Sequence, residues 1–178
     1  LVGSEMCIRD RYKSLFDLKF KSNCNSIYLH QDTEMTNDTQ LCRVEFPTFV
    51  QMPTRWMDND AYGHMNNIVH YALIDTAVTD WQRDHGFFNK KHAGFEFMVV
   101  ESGCRYFSEA AYPDKISVGL KIKKIGNTSW IYQAGLFREE DDPCFALGFF
   151  AQVLVDSENR RPTPIPNEMR DALKLLET

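Results

Sequence analysis

The sequence predicts an α+β domain in which one antiparallel sheet of about five strands curves around one long central helix. Three observations predict it. A strand-like run is followed by one helix-period stretch and then by four runs of period two, with no alternation of strands and helices. The helix-period stretch carries apolar residues on much of its circumference, which predicts burial against a sheet. Hydrophobic residues make up 43% of the chain and aromatic residues 13%, ample for the core of one domain.

The elements follow in order. Residues 46–56 read as a strand with an irregular start and an edge or bulge, because Pro47 and Pro53 cannot donate to a ladder. Turn formers fill 58–63. From about 64 to 85, Ile68, Tyr71 or Ala72, Asp75, Val78 and Trp81 or Gln82 recur at steps of three and four, and Gly86 supplies a stop. A loop rich in Phe, Asn, Lys and His runs to Gly94, and residues 96–107 form the next strand, closed by a turn around Pro113. Residues 115–125 alternate, with Ile116, Val118, Leu120 and Ile122 on one face and Ser117, Gly119, Lys121 and Lys123 on the other. Gly126-Asn127 signals a hairpin into 128–138. The acidic turn 139–143 feeds a strand over 144–156, and a Pro-rich connection ends in a short helix near 167–176.

The 25 acidic and 20 basic residues give a formal net charge of −5, which argues against a protein that coats nucleic acid. No run of roughly 18 apolar residues exists to span a membrane. The five cysteines, Cys7, Cys24, Cys42, Cys104 and Cys144, are scattered without CxxC spacing, which fits reduced thiols and a cytoplasmic setting. Residues 1–34 are expected to be a leader outside the domain, either non-native or a disordered arm. Residues 1–11 are adapter-like: Glu5 to Arg11 back-translate to a run that resembles the mosaic-end adapter of transposase-based sequencing libraries. Residues 12–34 show no clear period, and Met35 reads as a natural start. A single domain is then expected over 35–178.

The chemistry is expected in Asp58-Asn59-Asp60-Ala61-Tyr62-Gly63-His64-Met65-Asn66-Asn67, where the first strand hands over to the helix. A carboxylate ahead of a helix has two readings. It is an N-cap worth about 1 kcal/mol, or it is a base or nucleophile beside free backbone N–H groups that can stabilise a developing oxyanion. On the residues alone these stand level for Asp60. Asp58 reads as a structural partner of Arg55 or of the turn. His64 either orients a carboxylate, lines a pocket or makes a local bond. Asn66 bonds substrate or backbone, Tyr62 is pocket wall or subunit contact, and His70 reads as a core histidine. Glu101 and Arg105 share one strand face and can pair there. Lys121, Lys123, Lys124, Arg160 and Arg161 are candidate phosphate binders by charge, although a solvated face explains the lysines equally well. Phe145, Phe149 and Phe150 suit an apolar tunnel or a core.

The pattern D-x-D-x-x-G-H-x-N-N before a helix resembles the signature of the hotdog-fold acyl-CoA thioesterases related to 4-hydroxybenzoyl-CoA thioesterase, and plant acyl-carrier-protein thioesterases carry a similar segment. The resemblance extends through the strand order and Glu101-Ser102-Gly103-Cys104-Arg105-Tyr106-Phe107. It implies a hotdog fold and hydrolysis of an acyl-CoA or acyl-carrier-protein thioester to free acid and thiol. Asp60 matches the catalytic carboxylate and the backbone N–H of Asn67 the carbonyl-polarising donor. Gly63, His64, Asn66 and Tyr62 fall in the substrate-binding segment, and Glu101 is a second-choice carboxylate. The resemblance implies no metal and no redox cofactor, and a homodimer or homotetramer with sheets joined edge to edge and sites between subunits. His70 departs from it, because relatives commonly have Tyr there. Two competing functions remain: a hotdog dehydratase or hydratase pairing His64 with Asp60, and a non-catalytic acyl-CoA-binding module.

Overall fold

A computed structural model of the chain describes residues 40–177, so the expected leader 1–34 lies outside the described residues. Among the described residues there are five strands: β1 (Thr48–Pro53), β2 (Phe95–Tyr106), β3 (Lys115–Ile125), β4 (Ser129–Arg138) and β5 (Ala146–Asp156). Helix α1 (Asn67–Asp84) follows β1, and α2 (Asn167–Lys174) ends the chain. The strands form one antiparallel sheet in the order β1-β3-β4-β5-β2. The expected sequence of one strand, one helix and four strands is observed. The strand expected over 46–56 is shorter, since Pro53 ends it at the sheet edge and 56–58 turn into a 3₁₀ segment.

In β3 the alternation works as expected on the helix side. Ile116, Val118 and Leu120 are fully buried there, until a register shift between Ile122 and Lys124 sets Lys123 out of phase. The opposite face is not a solvent face. Phe46, Phe137, Cys144 and Leu147 cluster on it, and Ser117 is buried as well. Glycines on neighbouring strands make room: a Cβ on Gly119 would stand 2.8 Å, and one on Gly135 2.7 Å, from ring atoms of Phe46.

The main core lies between the other face and α1. Ile74, Ala77 and Val78 are fully buried, flanked by Val69, Leu73 and Trp81. Gly148 on β5 lets the helix sit close, since a Cβ there would fall 2.4 Å from Ile74 Cδ1. Two expectations need correction. The buried stripe is 69/70, 73/74, 77/78 and 81/82, so Ile68 and Asp75 point outward, and Ile68 is 70% exposed. Nor is the helix buried on most of its circumference. At 18 residues it meets one sheet along one side, and a single sheet covers only that side. Among the described residues no helix is long and apolar enough to cross a membrane.

Candidate active site

Between β1 and α1 the chain folds into a small closed loop. Thr54 anchors its start, with its hydroxyl donating to Asp114 O at 2.7 Å. Asp58 is buried, and its carboxylate accepts from Arg55 three times: from Nε at 3.0 Å, Nη2 at 2.8 Å and the backbone N–H at 2.7 Å. Burial alone would raise the Asp58 carboxyl, but the bonds and charge of Arg55 outweigh it and hold the group below the usual carboxylate value. Asp58 is thus the structural partner of Arg55. Its stabilising effect is present above the unfolded-state value and fades as pH falls through the lower folded one.

Two antiparallel contacts zip the loop. Asn66 N–H donates to Asp58 O at 2.8 Å, and Asp60 N–H to His64 O at 2.8 Å, around a bridge between Asn59 and Met65. The buried Met65 ties this small hairpin to the β2–β3 connection by donating to Ala110 O at 2.6 Å, and Asn59 Oδ1 accepts from Tyr112 N at 2.9 Å. The tip is turned by Gly63 at φ +82°, a conformation that a side chain would strain. A Cβ at Gly63 would meet nothing within 4 Å, so the tip has open space beside it.

Asp60 sits inside this hairpin and does not cap α1. Its Oδ1 accepts from Tyr62 N at 2.8 Å and His64 N at 3.2 Å, while Oδ2 has no hydrogen-bond partner among the described residues. The cap is Asn66, whose Oδ1 accepts from Ile68 N at 3.2 Å. Asn67, the first helical residue, keeps a backbone N–H with no acceptor among the described residues. The same hairpin therefore joins a half-free carboxylate to a free amide at the positive end of α1. The His64 ring turns to Glu109, Nε2 to Oε2 at 3.2 Å, and touches Asp60 through its backbone only. Tyr62 is 84% exposed.

His70 is the core histidine expected. Its Nδ1–H donates to Asn66 O at 3.2 Å, and its ring stands edge-on to Tyr106 at 4.8 Å and Phe145 at 5.8 Å. Burial lowers its pKa, against the opposing pull of the Asn66 and Asn67 backbone. The unfolded chain therefore binds this proton at a higher pH than the folded one, and stability falls as pH drops below the ordinary histidine value. One such group changes stability by up to about 1.4 kcal/mol per pH unit. Urea midpoints between pH 7 and 5 should fall less steeply for His70→Gln than for the parent, and parallel slopes would refute this origin.

Among the other candidates, Glu101 lies on the exposed strand β2 opposite Ala151, away from the zipped hairpin in the hydrogen-bond pattern. Lys121 is engaged with Glu45 at 3.9 Å and lies over the Phe46 ring, and Arg160 pairs with Glu96. Phe145 and Phe150 belong to the core, while Phe149 packs on Gly103 on the other face. The Cys104 thiol is pushed up to about 11 by burial, so it is protonated at neutral pH and a poor nucleophile. Outside the expected positions, a half-open cavity of about 420 Å³ lies beside the second half of α1, lined by Asp75, Thr79, Gln82 and Gln152 among aromatic residues. Its signal was two glutamines, Gln82 and Gln152, at positions where helix and strand periods call for core residues.

Comparison with known proteins decides the family. The model of the thioesterase-like superfamily matches residues 54–173, which spans the hairpin, α1 and the whole sheet after β1. The chain belongs to this thioesterase-like superfamily. The PA5185 protein from Pseudomonas aeruginosa is 39% identical, with a TM-score of 0.73 over 77% of this chain and 96% of its own. The fold is shared with Slr0204, a 1,4-dihydroxy-2-naphthoyl-CoA thioesterase from Synechocystis, at 17% identity, a TM-score of 0.64, and 70% and 93% coverage. It is also shared with the BH1999 gentisyl-coenzyme A thioesterase, at 19% identity, a TM-score of 0.63, and 71% and 99% coverage. A search of curated protein sequences gave no match. Thioester hydrolysis is the general activity class of this superfamily.

Proposed function

We propose that this member of the superfamily hydrolyses acyl-CoA thioesters, with Asp60 as general base or nucleophile and the Asn67 N–H polarising the thioester carbonyl. The observation that carries this reading is the division of labour within Asp60: two backbone N–H groups hold Oδ1, while Oδ2 is left without a partner. A carboxylate so held is aimed but not consumed by the fold, and it needs no metal or redox cofactor to attack a carbonyl or activate a water. The adjacent helix terminus supplies an N–H where negative charge develops on the carbonyl oxygen. Gly63, with open space beside its Cα, leaves room for substrate, and Tyr62, His64 and Asn66 complete the rim.

The reading includes a homodimer formed through β2. That strand is a sheet edge of 12 residues whose Met98, Val99 and Val100 are 37%, 44% and 62% exposed. A long apolar edge with unpaired backbone groups is a template for a second strand, and a two-fold axis would pair β2 with itself. The opposite edge, β1, is only six residues long and ends in Pro53.

A thiol-release assay across short, long and aromatic acyl-CoAs tests the activity, and release from none of them would remove it. A hydratase would instead change enoyl absorbance without releasing thiol. That alternative draws no support from His64, whose ring pairs with Glu109.

A further inference from the structure

Arg138 closes β4, and its guanidinium spans two loops at once. Nε and Nη2 donate to Asp141 Oδ2 at 3.0 and 2.9 Å within the turn 139–143, while Nη1 donates to Glu109 O at 2.6 Å in the β2–β3 connection. The planar fork of arginine makes this possible, because a lysine has one nitrogen and cannot serve both loops in this way. The turn is itself held from another side. Arg43 N–H donates to Asp142 Oδ1 at 3.0 Å, Arg43 Nε to Asp141 O at 3.1 Å and Arg43 Nη2 to Glu139 O. The Asp141 that anchors Arg138 is therefore tied to the 3₁₀ segment Arg43–Glu45 as well.

What Arg138 grips is the seat of the Asp60 hairpin. Three residues of the connection hold that hairpin: Glu109 Oε2 accepts from His64 Nε2 at 3.2 Å, Ala110 O accepts from Met65 N at 2.6 Å, and Tyr112 N donates to Asn59 Oδ1 at 2.9 Å. His64 then takes Asp60 from both sides with its backbone. Its carbonyl accepts from Asp60 N at 2.8 Å, and its N–H donates to Asp60 Oδ1 at 3.2 Å. A carboxylate only accepts, so the His64–Glu109 bond needs a proton on Nε2, which the charged ring and one neutral tautomer both carry. The two side chains are 43% and 59% exposed, and an exposed pair of this kind adds little to stability. Its effect is on position instead. A reacting group displaced by on the order of 1 Å loses about a hundredfold in rate.

We infer that Arg138 and Glu109 are positioning residues for thioester hydrolysis, fixing the Asp60 carboxylate through the β2–β3 connection and the backbone of His64. The inference rests on the Asp60 reading above. In the full chain, Arg138→Met should lower kcat about tenfold and leave KM within about twofold, because the lost contact acts on the reacting group and not on binding. Glu109→Ala should do the same. Glu109→Gln keeps an oxygen that accepts from His64 Nε2 and should restore most of the rate. Arg138→Met and Glu109→Ala combined should lose no more than the worse single variant, since both cut one path. Amide hydrogen exchange reads the same path without any hydrolysis. The N–H groups of Asp60 and His64 should exchange about tenfold faster in Arg138→Met, with the interior of β4 and β5 at the parent's rates. Losses that multiply in the double variant, a raised KM in place of a lowered kcat, or parental exchange at Asp60 and His64 each overturns the inference. So does exchange that quickens throughout the sheet, which marks general destabilisation. Quickened exchange confined to the hairpin, in a protein that hydrolyses no acyl-CoA, upholds the positioning of Asp60 and removes the hydrolytic reading alone.

Discussion

Asp60→Asn should lower kcat/KM for acyl-CoA hydrolysis by about a thousandfold, the scale of a lost catalytic carboxylate, and leave the melting temperature nearly unchanged. The two halves of that expectation come from the two oxygens of one side chain. An asparagine keeps an Oδ1 that can accept from Tyr62 N and His64 N, so the hairpin and the start of α1 keep their shape. What it removes is the negative charge and the nucleophilic oxygen at the other position. Asp60→Ala should lose the same activity but also release the two N–H groups and loosen the hairpin, visible as a lower melting temperature. Thiol release and a thermal melt on the three proteins read both effects. An Asp60→Asn protein with the parent's kcat/KM would sink the assignment, whatever its stability.

This pair of variants also shows what the sequence could and could not say about the site. From residue types alone, Asp60 was as good an N-cap as a catalyst, because both need a short acidic side chain just before a helix. The two readings separate only when the cap is seen on Asn66 and the Asp60 carboxylate on the hairpin's own N–H groups. Asp58 was legible, since an Arg three residues away offers a local partner, and the contact needs no distant element. The partner of His64 was not, because Glu109 comes from the β2–β3 connection and no local period announces it.

The sheet was legible for a related reason. Period-two runs identify β2 to β5 to within a residue or two at most of their ends, and turn residues supply the breaks. The helix was less so. Apolar and small residues lie on both sides of α1, so the period fixes its existence but not its phase, and Ile68 and Asp75, which share the three- and four-residue steps, face outward. The same exposure bears on the proposed dimer: the apolar edge of β2 is surface that a second copy would cover.

Val100→Lys tests that dimer directly and should have the second largest effect. Val100 lies at the middle of β2, where the pairing with β5 shifts between Val99 and Glu101, and 62% of it is exposed. Near a two-fold axis one substitution places two like charges together, because each copy brings its own. Like charges across an interface cost several kcal/mol, so the dimer dissociation constant should rise by about a hundredfold or more. The fold of each copy should survive, since an outward lysine is a natural residue for a sheet edge. Sedimentation should then show monomers at micromolar concentration, and hydrolysis should fall with them, recovering partly as protein concentration rises. The last point carries the weight. A variant that is merely damaged has a rate per chain independent of concentration, whereas a site shared between the two copies of the proposed β2 dimer needs both. A fully active monomer would show instead that the hairpin works alone, with the acyl group lodged elsewhere on the same chain.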